Sequence, residues 1–224
     1  SQIATIQIRD LEDGAFFSNV TKKPDFQRET SEWQPKKVSE FIASFIAGDL
    51  IPALILWQSG NSIFVIDGAH RLSALLAWVR DDYGDGITSK EFFEGRIPDQ
   101  QIKVAEATRK IVNKDIGTYS DHKFAIGHPK KSDERIVESA RRLASLAIQL
   151  QWVKGDSEVA EQSFFKINQQ AAPIDKTELR LLKARRKPNA IAARAIIRSG
   201  TGHKYWSKFD QEHTGEIERI SRHI

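Results

Sequence analysis

The sequence contains no cysteine, which excludes disulfide bonds and metal sites built on thiolates. A chain without disulfides suits a reducing compartment, and we expect the protein to be cytoplasmic. The sequence also has no run of about 18 uncharged apolar residues, so it predicts no membrane-spanning helix.

Several motifs with well-defined chemistry are missing as well. No P-loop motif occurs, so any nucleotide site in this chain is of another kind. The six histidines show no H-x-x-x-H spacing, which gives no indication of a helical zinc site. No Ser-His-Asp arrangement stands out either.

What remains is the composition of a globular chain with a mild basic excess. The 224 residues are 40% hydrophobic, enough for one sizeable core or for one domain with a helical appendage. The formal net charge is +4 and the isoelectric point is about 9.2. This balance is compatible with a polyanionic partner, and equally with a domain that has none.

In the first half of the chain, the apolar pattern predicts a strand, a helix and a hairpin that leads into a second helix. Alternation predicts a strand over 3–8. Residues 35–48 have an apolar stripe at helical spacing between a proline and a glycine, which is typical of a helix. Two apolar runs, 53–57 and 62–66, predict a β-hairpin. Leucines at helical spacing then predict a helix with Asp67 as its N-cap.

The second half is predicted to be mainly helical. Apolar residues alternate with glutamine over 148–152 and predict a strand there. Helices are predicted over 98–113, 132–147, 157–168, 175–186 and 188–198. We therefore predict an α+β chain with a small mixed sheet and helices over 1–128. A mainly helical part over 129–224 would pack on this core or extend it.

The segment Val65–Trp78 joins the second hairpin strand to the next helix, and it includes Asp67, Gly68, His70 and Arg71. A strand that runs into a helix points the first free N–H groups of the helix into a cleft at the end of the sheet. Together with the positive end of the helix dipole, these groups favour an anion such as phosphate.

Each residue type at this turn suits a phosphate-bearing ligand. Gly68 lets a ligand approach without a Cβ in the way. Arg71 can donate to two phosphate oxygens, and His70 can donate to a phosphate or take a proton from water. Asp67 can hold a divalent cation instead of only capping the helix. The alternative is purely structural: a cap, a turn residue and two solvated residues of the first helical turn.

Three stretches, in order along the chain, resemble motifs of one superfamily. Asp67–Leu72 resembles the DGQHR or DGQQR signature, with Ala69 in place of the Gln that follows the Gly. Phe26–Arg28 and Trp33 resemble an upstream YQR…W segment, and Phe164–Gln170 resembles a downstream F-x-x-I-N helix. On these motifs, the chain is similar to the ParB/sulfiredoxin-like superfamily, which includes DndB-type DNA-modification proteins and GmrSD restriction proteins.

The resemblance implies a ParB-like core that binds, and in several branches hydrolyses, a nucleoside triphosphate within a bacterial DNA modification or restriction system. Mg²⁺ with ATP or another nucleoside triphosphate is then expected, because the charge on three phosphates must be offset. Asp67, His70 and Arg71 would be the catalytic residues, with Asp67 also the metal ligand. The residues expected to bind the nucleotide are Gln27, Arg28, Gly68, Asn168 and Gln169.

Two of these positions have simpler interpretations. Arg28 stands beside Glu29 and can be a surface residue, and Asn168 can cap its helix instead of bonding to a base. The densest basic run is a candidate DNA contact and equally a solvated helix face. It consists of Arg180, Lys183, Arg185, Arg186 and Lys187.

We therefore expect a nucleotide-binding, NTP-hydrolysing component that works with DNA and with other proteins of its system. Two alternatives stay open. One is a non-catalytic DNA-binding regulator in which the turn only shapes the fold. The other is a domain that cleaves the DNA backbone itself with a metal ion.

Overall fold

A computed structural model of the chain describes residues 2–22, 33–92, 95, 97–171, 180, 183–184, 187–197, 216 and 219–220. The described residues form a five-stranded sheet with helices, which confirms the predicted α+β class. The strands are β1 (Thr5–Gln7), β2 (Thr21–Lys22), β3 (Leu54–Ser59), β4 (Ser62–Asp67) and β5 (Ala147–Val153).

Most of the helices in the described parts of the chain precede β5. They are α1 (Phe16–Val20), α2 (Pro35–Ala47), α3 (Ala69–Arg80), α4 (Ile87–Phe92), α5 (Asp99–Asp115), α6 (Tyr119–Gly127), α7 (Glu134–Leu143), α8 (Ser157–Ala171) and α9 (Pro188–Ile197). None of the helices in these parts of the chain has the length and apolar character that a membrane crossing requires.

The sheet is mixed, with strand order β1-β5-β3-β4-β2. β3 and β4 form the predicted antiparallel hairpin, closed by the two-residue loop Gly60-Asn61. β5 lies between β1, to which it is antiparallel, and β3, to which it is parallel. β2 pairs in parallel with β4 at the other edge. Because β5 follows residue 128, the sheet draws on both of the segments distinguished in the sequence.

The two faces of the sheet are covered by different helices. On one face, Leu54, Leu56 and Val65 pack in the main core, where α2, α3, α5 and α7 also bury side chains. On the other face, Trp57 and Ile66 pack against α8. The hairpin is therefore apolar on both sides, as its nearly continuous apolar runs predicted.

Local sequence signals predicted the bounds of α2 but did not predict α6. Pro35 is in the first turn of α2, and Gly48 ends the helix with φ of 84°, as predicted. Helix α6 was not predicted because it has no apolar stripe. Its N-terminus nevertheless carries a capping box, in which the Thr118 side chain accepts from the backbone of Asp121 and the Asp121 side chain accepts from Thr118.

Other boundaries differ from the predicted ones. The first strand covers only Thr5–Gln7, because a 3-10 turn begins at Ile8. The helix predicted over 132–147 ends at Leu143, and its last predicted residue already belongs to β5. The chain leaves the helix there so that Ile148 and Leu150 can enter the main core.

Candidate functional site

A β-bulge sets the position of Asp67 at the end of β4. Along the hairpin, Leu56 is paired with Val65, whereas the preceding Ile55 is paired with Asp67. Ile66 is therefore the extra residue of the bulge. Bulges bend a strand and re-aim the side chains beside them. Here the bulge fixes where the aspartate emerges, immediately before α3 begins.

Gly68 makes the turn from β4 into α3. Its φ is 92°, in the left-handed region that favours glycine. A Cβ at this position would lie 2.4 Å from Cδ2 of Leu54 and 3.0 Å from Nη2 of Arg71. The predicted N-cap role of Asp67 is wrong, because Gly68 is the N-cap and no side chain caps α3.

Asp67 instead binds the guanidinium of Arg71. Nη2 of Arg71 donates to Oδ2 of Asp67 at 2.6 Å, and Nη1 donates to the carbonyl of Pro52. The side chain of Arg71 is 14% exposed and that of Asp67 is 35% exposed. Within the described parts of the chain, Nε of Arg71 and Oδ1 of Asp67 have no hydrogen-bond partner. The ion pair thus has a fixed geometry, while Nε of Arg71 and Oδ1 of Asp67 are not used within it.

His70 is stacked against Trp33, which belongs to the segment before α2. The two ring centroids lie 5.8 Å apart with an interplanar angle of 24°. The edge of Phe41 meets Trp33 at 5.3 Å, and Nζ of Lys37 lies 5.1 Å from the centre of the same ring. This contact brings the N-terminus of α2 next to that of α3.

Neither of these two helix N-termini has a side-chain cap. The N-cap residue of α2 is Gln34, whose side chain accepts no bond from its helix, and the N-cap residue of α3 is Gly68, which has no side chain. Uncapped N–H groups carry the positive end of the helix dipole. With Lys37 and Arg71 beside them, the surface between the two helices is suited to an anion.

Asp67 has limited capacity as a metal ligand. Among the residues that the structure describes, no group of three or more histidine, aspartate or glutamate side chains is placed to hold a metal ion. A cation at Asp67 would therefore have one carboxylate oxygen from this turn, and its other ligands would come from water and from a ligand such as a phosphate. This is the way in which Mg²⁺ is usually bound beside nucleotide phosphates.

The other predicted nucleotide contacts are less well defined. Gln27 and Arg28 lie outside the described residues. Asn168 lies in α8, where its Nδ2 donates to the carbonyl of Phe164 at 2.8 Å, one turn back in the same helix. Gln169 is helical, but its side chain is outside the description. α8 as a whole packs on Ile66, on the opposite face of β4 from the main core.

The basic run is described only in part. Arg180 and Lys183 are helical, and both are exposed, as is Lys187. Arg185 and Arg186 lie outside the described residues. The predicted DNA contact on this run therefore stays a prediction.

Sequence reasoning missed two contributors to the turn. The carbonyl of Pro52 binds Arg71 across 19 positions of sequence, and no local pattern indicates it. Lys37 stands in the first turn of α2, where a basic residue is unfavourable for the helix dipole. Lys36 stands in the same turn, so this placement by itself does not single out Lys37.

The comparisons with known proteins give one match. The sequence profile described as "GmrSD restriction endonuclease, N-terminal domain" matches residues 11–185, a span that includes the Asp67 turn and most of the sheet. Neither a curated protein nor a solved structure matches the chain. Because the profile covers more than half of the sequence, the chain belongs to the GmrSD N-terminal domain family, and its role is in a restriction or defence system.

Proposed function

We propose that this domain binds a nucleoside triphosphate with Mg²⁺ at the Asp67 turn and hydrolyses it as part of the restriction system. The observation that carries the proposal is the half-used guanidinium of Arg71 in the first turn of α3, whose N-terminus has no side-chain cap and is joined to that of α2 by the stacking of Trp33 on His70. Such a surface favours a multiply charged anion.

Arg71 would act as the phosphate clamp. A guanidinium has five N–H donors, and in Arg71 one donates to Asp67 and another to Pro52. The remaining donors, Nε–H among them, can bind phosphate oxygens without breaking either contact. Because the two contacts already fix the side chain, less conformational entropy is lost on binding.

Asp67 would contribute to the metal site through its second carboxylate oxygen. Oδ2 is engaged by Arg71, so Oδ1 is the atom suited to Mg²⁺. When bound, the ion would offset phosphate charge and orient the phosphates. Asp67 therefore has two tasks in the proposal: it positions Arg71, and it binds the cation.

His70 would act on the phosphates from the first turn of α3. Its stacking on Trp33 fixes the plane of the imidazole at the mouth of the site. From there it can donate a hydrogen bond to a phosphate or take a proton from the attacking water. Arg28, Gln27, Asn168 and Gln169 complete the proposed set of nucleotide contacts.

DNA and other proteins of the restriction system are the proposed macromolecular partners, with the basic run from Arg180 to Lys187 as a phosphate contact. Two alternatives differ in outcome. A non-catalytic regulator would bind DNA but release no phosphate from a nucleotide. A nuclease would nick supercoiled plasmid with Mg²⁺ and without any nucleotide.

The test is calorimetry of the 224-residue chain with ATP and with GTP, each with and without Mg²⁺, together with a phosphate-release assay. We expect one nucleotide to bind more tightly with Mg²⁺ and to be hydrolysed. In Asp67→Asn, an amide oxygen still accepts from Arg71 but the charge is gone, so the Mg²⁺-dependent gain in affinity should disappear. Asp85→Asn, at the other end of α3, is the control and should keep it. Absence of binding for both nucleotides would refute the proposal.

A further inference from the structure

The corner between α6 and α7 carries aromatic and basic side chains that no contact within the described residues explains. Phe124 and His128 stack on each other, with centroids 4.2 Å apart and an interplanar angle of 9°. Lys130 and Lys131 follow in a 3-10 turn, and all four residues are exposed. We call these four residues the Phe124–Lys131 surface.

This surface is held in one conformation by its own backbone. The hydroxyl of Ser132 donates to the carbonyl of His128 at 3.0 Å, and the N–H of Lys131 donates to the same oxygen at 3.0 Å. Nδ1 of His128 lies 3.3 Å from the carbonyl of Phe124, which keeps the imidazole over the phenyl ring. The aromatic pair and the two lysines are therefore presented together.

The helices beneath this surface are packed by small and apolar side chains. Ala125 of α6 packs in a buried cluster with Val137 and Ala140 of α7. None of these three residues belongs to the exposed surface. The surface can therefore be altered without disturbing the contact that supports it.

The two lysines of this corner are followed in the chain by the carboxylates of Asp133 and Glu134 but are not paired with them. Neither Lys130 nor Lys131 has an ion pair with any residue that the structure describes. The two flanking aspartates are engaged in helix capping: Asp121 accepts from the N–H of Thr118 at 3.1 Å, and Asp133 accepts from the N–H of Arg135 at 2.9 Å. The corner thus offers two cations to an anionic partner.

Phe124 remains 51% exposed although His128 covers part of its ring. An exposed aromatic stack beside unpaired lysines is the combination with which proteins hold single-stranded nucleic acid. Bases extend the stack, and the lysines neutralise the backbone phosphates. Since the family belongs to restriction systems, DNA is the polyanion that best suits this surface.

We propose that the Phe124–Lys131 surface binds an unpaired DNA strand, with a base on Phe124 and backbone phosphates at Lys130 and Lys131. This goes beyond the proposed nucleotide site, because it needs neither a triphosphate nor the Asp67 turn. It is also separate from the basic run at 180–187, for which no aromatic contact is described.

The test is fluorescence anisotropy of a labelled 20-nucleotide single strand, and of the duplex of the same length, with the whole chain and no nucleotide present. Phe124→Leu should weaken single-strand binding about tenfold, because base–aromatic stacking is worth roughly 1–3 kcal/mol per base. Its salt dependence should stay unchanged, and the duplex should be affected less.

Lys130→Gln/Lys131→Gln should weaken binding and also flatten its salt dependence. Loss of two phosphate contacts on a single strand should reduce the slope of log K against log salt by about 1.4. The matched control is Lys103→Gln/Lys110→Gln, which removes two exposed lysines of α5 and should leave the slope near that of the unaltered chain.

Three results would overturn the proposal. One is that Phe124→Leu and Lys130→Gln/Lys131→Gln both bind the single strand with the same affinity as the control variant. Another is an equal loss for the duplex and the single strand in Phe124→Leu, which would exclude base stacking. The third is a change in sedimentation mass in Phe124→Leu with DNA binding intact, which would make the surface a contact between protein chains. Thermal melting of each variant confirms that it is folded.

Discussion

Helix α3 has an aspartate, a glycine and an arginine grouped at each of its ends. At the N-terminus these are Asp67, Gly68 and Arg71. At the C-terminus they are Asp85 and Gly86 of the following loop, together with Arg109, which reaches across from α5. The two groups share their residue types but differ in how many of their hydrogen-bonding atoms are used.

At the C-terminal end, every nitrogen of the Arg109 guanidinium is engaged. Nη1 and Nη2 both donate to the carboxylate of Asp85 at 2.7 Å, while Nε donates to Oδ1 of Asp81 at 2.8 Å. The hydrogen bonds from Arg109 hold the pKa of Asp85 below its usual value. With this bidentate pair, Arg109 has no guanidinium nitrogen left for a ligand. The pair fixes the loop after α3.

The histidines near the two ends differ in burial and packing, and not in the way that the two arginines differ. His70, in the first turn, stacks on Trp33 at the mouth of the candidate site. His122 packs edge-on against Trp78 in the last turn and is only 2% exposed. Its Nδ1 lies 2.8 Å from the carbonyl of Thr118, and its Nε2 has no hydrogen-bond partner among the residues that the structure describes. The two ends thus share residue types, and they differ in how fully the arginine guanidinium is hydrogen-bonded and in how deeply the histidine is buried.

The two glycines give the largest predicted effects. Gly68→Ala should lower the free energy of unfolding by about 2–4 kcal/mol, from left-handed strain plus overpacking against the buried Leu54. Gly86→Ala should cost about 1–3 kcal/mol, since its Cβ would lie 2.6 Å from Cγ of Asp82. Urea unfolding measures both. Only Gly68→Ala should also weaken nucleotide binding. An equal loss of nucleotide affinity in Gly86→Ala would show that the two ends of α3 do not differ in this way.

The second prediction concerns turnover. His70→Gln should hydrolyse nucleotide about 100-fold more slowly while keeping most of its affinity, because general acid–base assistance is worth roughly 10²–10⁴ in rate. His122→Asn is the control and should keep the rate. A small loss in His70→Gln would leave His70 as a phosphate contact only.

The two arginines give the third prediction, which calorimetry and urea unfolding test together. Arg71→Ala should weaken nucleotide binding by about 1.5–3 kcal/mol, the range for a charge-assisted hydrogen bond. Arg109→Ala should leave nucleotide binding unchanged. It should instead destabilise the fold, because the carboxylates of Asp81 and Asp85 lose their ion pairs with Arg109. If both variants bound nucleotide equally well, the half-used guanidinium would have no special role.

The smallest effect concerns the dependence of stability on pH. Burial lowers the pKa of His122 below its ordinary value of 6.5; the hydrogen bond to Thr118 and the charge of Asp121 oppose this, and Arg135 adds to it. The unfolded chain therefore binds more protons as the pH falls through 6.5. The free energy of unfolding should be independent of this histidine above that pH and should decrease as the pH falls below it. His122→Asn should reduce this decrease in denaturant titrations at pH 7.5 and 5.5, and an unchanged difference would contradict the assignment.

Much of the N-terminal site was predictable because its signals are local. The apolar runs of the hairpin, the proline and glycine around α2, and the glycine after Asp67 each act through neighbouring residues. The ion pair between Asp67, the last residue of β4, and Arg71, in the first turn of α3, was not predicted, although the two residues are only four positions apart. The motif likeness at Asp67–Leu72 pointed to the family that the profile match then established.

The sequence by itself thus determined the hairpin, the turn at Gly68 and the residue types around it. The tertiary structure alone decided which of those residues have all their hydrogen-bonding groups paired. The carbonyl of Pro52 at Arg71, the stacking of Trp33 on His70 and the closure of Arg109 on Asp85 join segments that are far apart in the chain. Periodicity and capping describe the faces of one segment, whereas such contacts depend on how all segments bury their apolar faces together. β5 shows the same limit, since its place between β1 and β3 follows from its contribution to the shared core.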